Sequence, residues 1–573
     1  MNFINQTRSF EVVCGLVFFL LVFRADVLFG QASELEQLIE SYQDAKSVRD
    51  TFGWSDRSMQ ALEDQKNKFT DLWQELEQIN ESDLELQDRI SYDLLKIVLW
   101  DDKFGADWGE SFLLLNAEGG FLTELIYTFG NLRIEDEDDF EAYLNRLKGI
   151  PTFLHHGEQL LLKGIEEGKM RPKIIVEKCI SLMDYHLAKS IEESLFYQPI
   201  SSGSELQKNQ AEVHIKHIVL PAYRAFKRFL ESTYSIAAPQ KPGISYVSDG
   251  ADFYKHKVNF YTTLSMSPDE VFETGHKEVR RIREEMNGII ADLNFERSFE
   301  EFLAFLRTDA QFYAPTPEAL LEKAAWISKD IEAQLPRFFN KLPRNPFTVR
   351  PVPAALAPNY TGGRYSPGSL KNRRAGEYWV NTYDLPSRPL YVLPALTLHE
   401  AVPGHHLQGS LAQEIELSPF RRGTYLSAFG EGWALYGEYL GKEMGIYKNP
   451  YEQFGRLTYE MWRACRLVVD TGIHAKGWTR QQVVDYMAGN TALSLHEVNT
   501  ETDRYISWPG QALSYKIGEL KIRELRQKAE AELGEDFDIR QFHEVILEQG
   551  TVTLSILEDR INNYIQQTAS SDE

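Results

Sequence analysis

Apolar residues recur at helical spacing through most of the chain. Phe69, Leu72, Leu76 and Ile79 fall three or four apart with polar residues between them, which puts one apolar stripe on a helix. Thr152 to Glu167 and Ile174 to Ser194 carry the same period. The acidic run Glu135 to Asp139 reads as a solvated helix start or loop. Pro239, Pro242, Gly243 and Gly250 then interrupt the pattern. The reading places a subdomain boundary there, with a helical N-terminal subdomain over 33–240 and a second subdomain over 250–573. Ser267-Pro268-Asp269-Glu270 has the form of a helix cap with Pro at the first helical position, and the helix it opens is expected to pass Glu285. Residues 343–358 are Pro-rich and read as extended. Gly376 to Thr382 is the best strand candidate. From Leu390 onward the helical pattern returns, and no internal repeat is visible. The predicted fold is mainly α with a small sheet.

The N-terminus breaks this pattern. Val12 to Phe23 is an unbroken apolar or small-residue run behind Arg8, closed by Arg24 and Asp26. A membrane span needs about 20 apolar residues, so the run suits a signal-peptide core. Gly30 and Ala32 place small residues ahead of a cut before Ser33. Residues 1–32 are read as a secretion signal, and the mature protein is expected to be exported, periplasmic or extracellular, without stable membrane insertion. The chain carries 85 acidic against 61 basic side chains, a net charge of −24. That balance excludes nucleic acid as an expected partner. Three cysteines, Cys14, Cys179 and Cys465, make neither a disulfide framework nor a zinc finger.

The candidate chemistry lies in Leu396-Thr397-Leu398-His399-Glu400-Ala401-Val402-Pro403-Gly404-His405-His406. Two imidazoles and a carboxylate suit catalytic zinc, which keeps one position open for water. A Glu directly after the first His is placed to take that water's proton. Position 403 is Pro where an H-E-x-x-H pattern needs His. On a regular helix, position 406 would lie about 10 Å along the axis from 399, too far for one metal. Pro403 and Gly404 are residues that kink or bulge a helix. A bulge of two residues brings His405 to the second ligand position, with His406 as the alternative. Downstream, Glu431 sits between Gly430 and Gly432, small neighbours that permit close approach, and is preferred to Glu438 as the third ligand. Glu273-Thr274-Gly275-His276 is a single Glu-x-x-His, and a di-iron bundle needs two. His155, His156, His186, His214, His217, His256, His496 and His543 have no partner pattern and read as structural or surface residues.

From about Tyr254 onward the chain resembles the bacterial domain-of-unknown-function 885 family, which looks gluzincin-like. The resemblance rests on His399 to His406, on Glu431-Gly432-Trp433-Ala434-Leu435-Tyr436 and on Trp462 to His474. Arg504-Tyr505, Pro509 to Gly518 and Phe542-His543 extend it. It implies a helical metallopeptidase-like architecture with a small β-sheet beside the active site.

The expected function is an exported zinc-dependent metallopeptidase acting on short peptides. In that reading Zn2+ is held by His399, His405 or His406, and Glu431, with Glu400 as the base. Asp470 and His474 share a helix face, and His474 is expected to touch substrate, stabilise an oxyanion or be oriented by Asp470. Arg504, Tyr505, Tyr515 and Lys516 resemble the Tyr and Arg groups that helical zinc peptidases aim at the tetrahedral intermediate and the substrate carboxylate, with Tyr505 and Tyr515 left as alternatives. The strand with Tyr378 and Asn381 is expected to pair with substrate, and Gly362, Gly363 and Arg364 to form a closing loop. A zinc amidase acting on cell-wall peptides, or a non-catalytic peptide-binding protein with a structural metal, are the rival expectations.

Overall fold

The apolar stripes read from the sequence become the buried faces of helices in the computed structural model, which describes residues 34–354, 357 and 360–570. The 1–32 signal and Cys14 lie outside the described residues. The chain divides into two compact units, one ending at Gly109 and the other beginning at Glu110.

The first unit is built from helices 34–46, Met59–Leu76 and Leu86–Trp108. Ser58 caps the second of these by accepting from the Ala61 N–H. Phe69, Leu72, Leu76 and Ile79 are all buried, with Trp54, Leu94 and Leu99 beside them in the core.

In the second unit the acidic run is a helix start. Asp136 caps Glu137–Glu167 and accepts from the Asp139 N–H, and acidic residues fill the first turn, where the helix dipole favours them. The Pro/Gly cluster at 237–250 lies inside this unit, between the short helix Ser235–Ala237 and the helix Gly250–Thr262. Helix α1, Pro268–Asp292, opens with the expected cap, Ser267 and Glu270 bonding each other's backbone. Three strands follow: β1, Phe347–Pro351; β2, Gly363–Ser366; and β3, Gly376–Val380. Next come helices α2, Leu393–Glu400; α3, His405–Glu414; α4, Ser427–Leu440; α5, Pro450–Lys476; α6, Leu495–Ser507; and α7, Ser514–Leu533.

Helix α5 is the axis of the unit, buried without interruption from Phe454 to His474. Helices α4 and α7 cross where Gly432 meets Gly518. A Cβ on Gly518 would come within 2.0 Å of the Ala428 carbonyl, so only glycine allows this approach. Among the described residues, no helix is long and apolar enough to cross a membrane. Cys179 and Cys465 are buried and free.

The sheet corrects two expectations. Its order is β1-β3-β2, with β1 parallel and β2 antiparallel to β3. The recognised strand β3 is therefore central, with both edges taken, and has none left for a substrate. Residues 363 and 364, expected in a closing loop, instead belong to the edge strand β2.

Candidate metal centre

Helix α2 is buried along its whole length and ends at Glu400. Beyond it the N–H of Ala401 still bonds the Thr397 carbonyl four residues back. The Gly404 N–H reaches Leu398, six back, and the His406 N–H reaches Ala401, five back. Two extra residues are thus absorbed between α2 and α3, around a cis Val402–Pro403 bond. Trp433 Nε1 donates to the Pro403 carbonyl at 2.8 Å and anchors the break on α4. A Cβ on Gly404 would sit 1.8 Å from the His399 carbonyl oxygen, which explains glycine there.

This break turns His405 back toward His399. The two rings stand 4.9 Å apart at 88°. Glu431, in the second turn of α4, places Oε2 at 3.4 Å from His399 Nε2 and 3.3 Å from His405 Nε2. The three donor atoms lie within 4.8 Å of one another. Zinc–donor lengths of about 2.0–2.2 Å in a tetrahedron put donors roughly 3.4 Å apart, so the spacing suits zinc. Glu431 Oε2 is buried and has no hydrogen-bond partner. A buried, unpartnered carboxylate oxygen facing two imidazole nitrogens is the donor set a divalent cation completes.

The surroundings orient the donors. His399 Nδ1 lies 2.8 Å from Glu438 Oε1, so Nδ1–H donates there and Nε2 faces Glu431. Glu438 is one of the residues the sequence weighed as a ligand. It stands seven residues after Glu431, two turns along α4, and supports the histidine instead. Arg463 Nη2 stands 3.4 Å from the same Glu438 oxygen. Burial opposes a charge on His399, but Glu431 and Glu438 outweigh it and raise the imidazole to about 9. Burial also pushes Glu431 upward, yet His405 and His399 hold it well below the usual carboxylate range. Gly430 accommodates the ring of Tyr425, whose hydroxyl donates to Glu431 Oε1 at 3.3 Å, while Gly432 serves the crossing with α7. The glycines flanking Glu431 thus serve packing.

Glu400 accepts the Tyr365 N–H on Oε2 at 2.8 Å. Because backbone groups alternate between the two sides of a strand, that N–H identifies the edge of β2 facing away from β3. Tyr515 stacks on His399, ring centroids 6.4 Å apart and 14° from parallel. The Arg466 guanidinium lies 4.2 Å over the Tyr515 ring and 4.3 Å over Trp462. Tyr505 is occupied elsewhere, its hydroxyl accepting from Trp462 Nε1 and Arg466 Nε, both at 2.9 Å.

Other expected residues fall outside this cluster. His406 packs on Phe347, and its Nδ1 accepts from the hydroxyls of Tyr365 at 3.2 Å and Ser410 at 3.3 Å; burial pushes it down to about 4. His474 accepts the Ile244 N–H on Nδ1 at 3.1 Å and donates from Nε2 to the Tyr505 carbonyl at 2.9 Å. Both its nitrogens are taken by backbone, so it serves packing rather than substrate. Asp470 does not pair with it, accepting instead from Tyr254 and the Gly510 N–H; burial raises its carboxyl to about 7. Arg504 is tied to Glu501 and to Gln511 Oε1. Tyr378 is buried against Thr397. Asn381 holds the Ala357, Tyr360 and Thr361 carbonyls together. Arg364 is exposed and lies over the ring of Tyr360. Tyr365, Arg463 and Arg466 are the residues sequence reasoning missed. Two arginines inside the apolar run Met461 to Val469 were the available signal, because charge buried in such a run must be matched.

The family described as "Bacterial protein of unknown function (DUF885)" matches residues 46–561. No curated protein matches the chain. The crystal structure of "the putative lipoprotein from Colwellia psychrerythraea" superposes with a TM-score of 0.85 at 26% identity, covering 93% of this chain and 99% of that one. "A putative lipoprotein of unknown function from Shewanella oneidensis" superposes with a TM-score of 0.72 at 18% identity, over 94% and 99% of the two chains, and shares the fold.

Proposed function

The chain belongs to the bacterial family of unknown function that matches residues 46–561, and from that premise we propose that it is an exported zinc-dependent peptidase of short peptides. One observation carries the reading. Glu431 Oε2, buried and without a hydrogen-bond partner, faces His399 Nε2 and His405 Nε2 at 3.4 and 3.3 Å, one residue from a carboxylate that is not a donor to the cluster. Export is supported by the apolar run Val12 to Phe23 and by the structural neighbour from Colwellia psychrerythraea, described as a "putative lipoprotein".

Zinc, held by His399, His405 and Glu431, supplies Lewis acidity toward a carbonyl and acidifies water. The chain's own residues do the rest. Glu400 keeps Oε2 on the Tyr365 N–H, and its other oxygen takes the proton of the attacking water and returns it to the departing amine. Burial and the neighbouring Glu431 raise the Tyr515 phenol, so it stays protonated and donates to the oxygen that gains charge. Apart from the Tyr365 N–H that Glu400 takes, the outward edge of β2 offers backbone groups to an extended peptide, which then lies along Gly363 and Tyr365 as an added strand. Glu438 fixes the His399 tautomer.

The purified protein is expected to hold about one zinc per chain and to lose peptide hydrolysis when a strong chelator removes it. Glu400→Gln should keep the zinc and lower turnover roughly 10²–10⁴-fold. Peptide hydrolysis that is unchanged after chelation overturns the reading. Zinc retained without hydrolysis of any peptide in a mixed library favours a binding protein.

A further inference from the structure

Arg388 is a second buried charge without a partner. It stands between the 3-10 turns Leu385–Ser387 and Leu390–Val392, just ahead of α2. It is 9% exposed, its Nε is buried without a hydrogen-bond partner, and among the described residues its side chain makes no ion pair. It lines a small cavity of about 30 Å³ together with Gly362, Asn381, Leu396, Tyr459 and Glu497.

An arginine cannot shed its proton in a protein, and a buried charge without a counter-ion is unfavourable unless something binds it. Glu497, on the same cavity, makes no ion pair with it. Burial pushes that carboxyl up to about 7 even though Arg388 opposes the rise. The cavity is therefore a cationic recess with apolar walls, which is the chemistry of a carboxylate site.

Its position ties it to the metal centre. Leu396 lies three residues before His399 on α2. Gly362 lies three residues before Tyr365, whose N–H holds Glu400. At about 3.3 Å per extended residue, the cavity-lining Gly362 is about 10 Å along the chain from that N–H, or three residues of an extended peptide.

We propose that Arg388 binds a carboxylate of the substrate in this cavity, about three residues from the bond that is cleaved. The inference rests on the reading above, in which a peptide lies along β2. It makes the preferred substrate a short peptide whose terminal carboxylate reaches Arg388, or one with an acidic side chain at that distance. Arg388 then selects substrates by length or by sequence.

Calorimetric titration of the zinc-loaded Glu400→Gln protein tests this, since the peptide is then bound but not consumed. The probes are tetra-alanine with a free carboxylate, the same peptide amidated, and amidated tetrapeptides with glutamate at each position in turn. A carboxylate-bearing probe should bind about tenfold or more tighter than amidated tetra-alanine. The probe that gains identifies the source, chain terminus or side chain. Arg388→Met in the same background should erase the difference while leaving the melting temperature unchanged or higher, because it removes an uncompensated buried charge. Arg388→Gln serves if the Met variant does not fold, and if neither folds Arg388 is structural and the assignment falls. Equal affinity for all probes, no binding by any probe, or a preference that survives loss of Arg388 also overturns it. Absent hydrolysis with an Arg388-dependent preference intact would remove the peptidase reading and leave the carboxylate site.

Discussion

Two buried charge clusters in the second unit make opposite use of the same side-chain types. Around Lys516, which is fully buried, every carboxylate oxygen has a cation. Lys516 Nζ contacts Glu519 at 2.8 Å, Glu460 at 2.9 Å and Glu278 at 3.2 Å. Arg281 takes both oxygens of Glu278, Arg456 the second oxygen of Glu460 and Arg523 the second of Glu519. That network ties α1, α5 and α7 together and leaves no carboxylate oxygen to receive a ligand. Around His399 the accounting stays open: Glu431 Oε2 has no hydrogen bond, and two imidazole nitrogens face it. Burial and charge alone do not mark a functional cluster; an unpartnered carboxylate oxygen facing two imidazole nitrogens does.

The largest effect that tests this contrast is on metal binding. His405→Ala removes one of three donors and should abolish tight zinc binding while leaving the stability of the metal-free fold little changed. His406→Ala should keep zinc and lose only packing against Phe347. Metal content of the two variants, measured side by side, decides between them, and zinc lost from the 406 variant alone would reverse the assignment. Lys516→Met is the counterpart in the closed network. It strands Glu278, Glu460 and Glu519 with fewer cations and should destabilise the fold by about 3–5 kcal/mol in denaturant unfolding. A change below about 1 kcal/mol would show that the network is not structural. A smaller effect belongs to Glu438→Gln, which keeps an acceptor for His399 Nδ1 but removes the charge. Zinc affinity should fall about 10–100-fold, and unchanged affinity in a competition titration would reduce Glu438 to a packing residue.

The parts of this contrast that were legible in the sequence are those encoded by spacing. His399-Glu400 with Pro403-Gly404 ahead of His405 states a donor pair and the break that aligns it, and Ser267-Pro268-Asp269-Glu270 states its own cap. Strand β3 was readable at Gly376 to Val380, but not its place in the sheet, because pairing order depends on residues 29 positions away in β1 and 11 to 17 in β2. The choice between Tyr505 and Tyr515 depends on Trp462 and Arg466, which occupy one hydroxyl and leave the other beside His399. Lys516 looked like a site group because it follows Tyr515, yet neighbours on a helix point about 100° apart. It therefore faces Glu460 while Tyr515 faces His399. Glu431 was preferred for its glycine neighbours, and those glycines turn out to serve Tyr425 and Gly518. Arg388 carried no local signal, since its lack of a partner is a property of the surrounding elements.

The comparison that is silent at neutral pH concerns the two buried histidines whose environments are most opposed, and its sign follows from their partners. His399 is flanked by carboxylates and is raised to about 9, whereas burial pushes His474 down to about 3. His474 already accepts the Ile244 N–H on Nδ1 and donates from Nε2 to the Tyr505 carbonyl, so the fold offers no lone pair to a further proton. An unfolded chain takes that proton near the ordinary histidine value of about 6.5. Between about 6.5 and about 3 the unfolded state therefore binds a proton that the folded state refuses, and stability falls as pH falls through that window. The slope is about 1.4 kcal/mol per pH unit well inside the window and vanishes above neutral pH. His474→Gln, which retains a donor and an acceptor, should flatten the acid side of the stability profile by that slope and change little at pH 7.5. His406 and His543, pushed down to about 4 and about 3 by burial, contribute the same fall to both proteins and cancel in the difference. Denaturant unfolding of the two metal-free proteins from pH 7.5 to 4 makes the comparison. Superimposable acid limbs would mean that His474 accepts a proton in the folded state, and that its backbone partners do not hold it neutral.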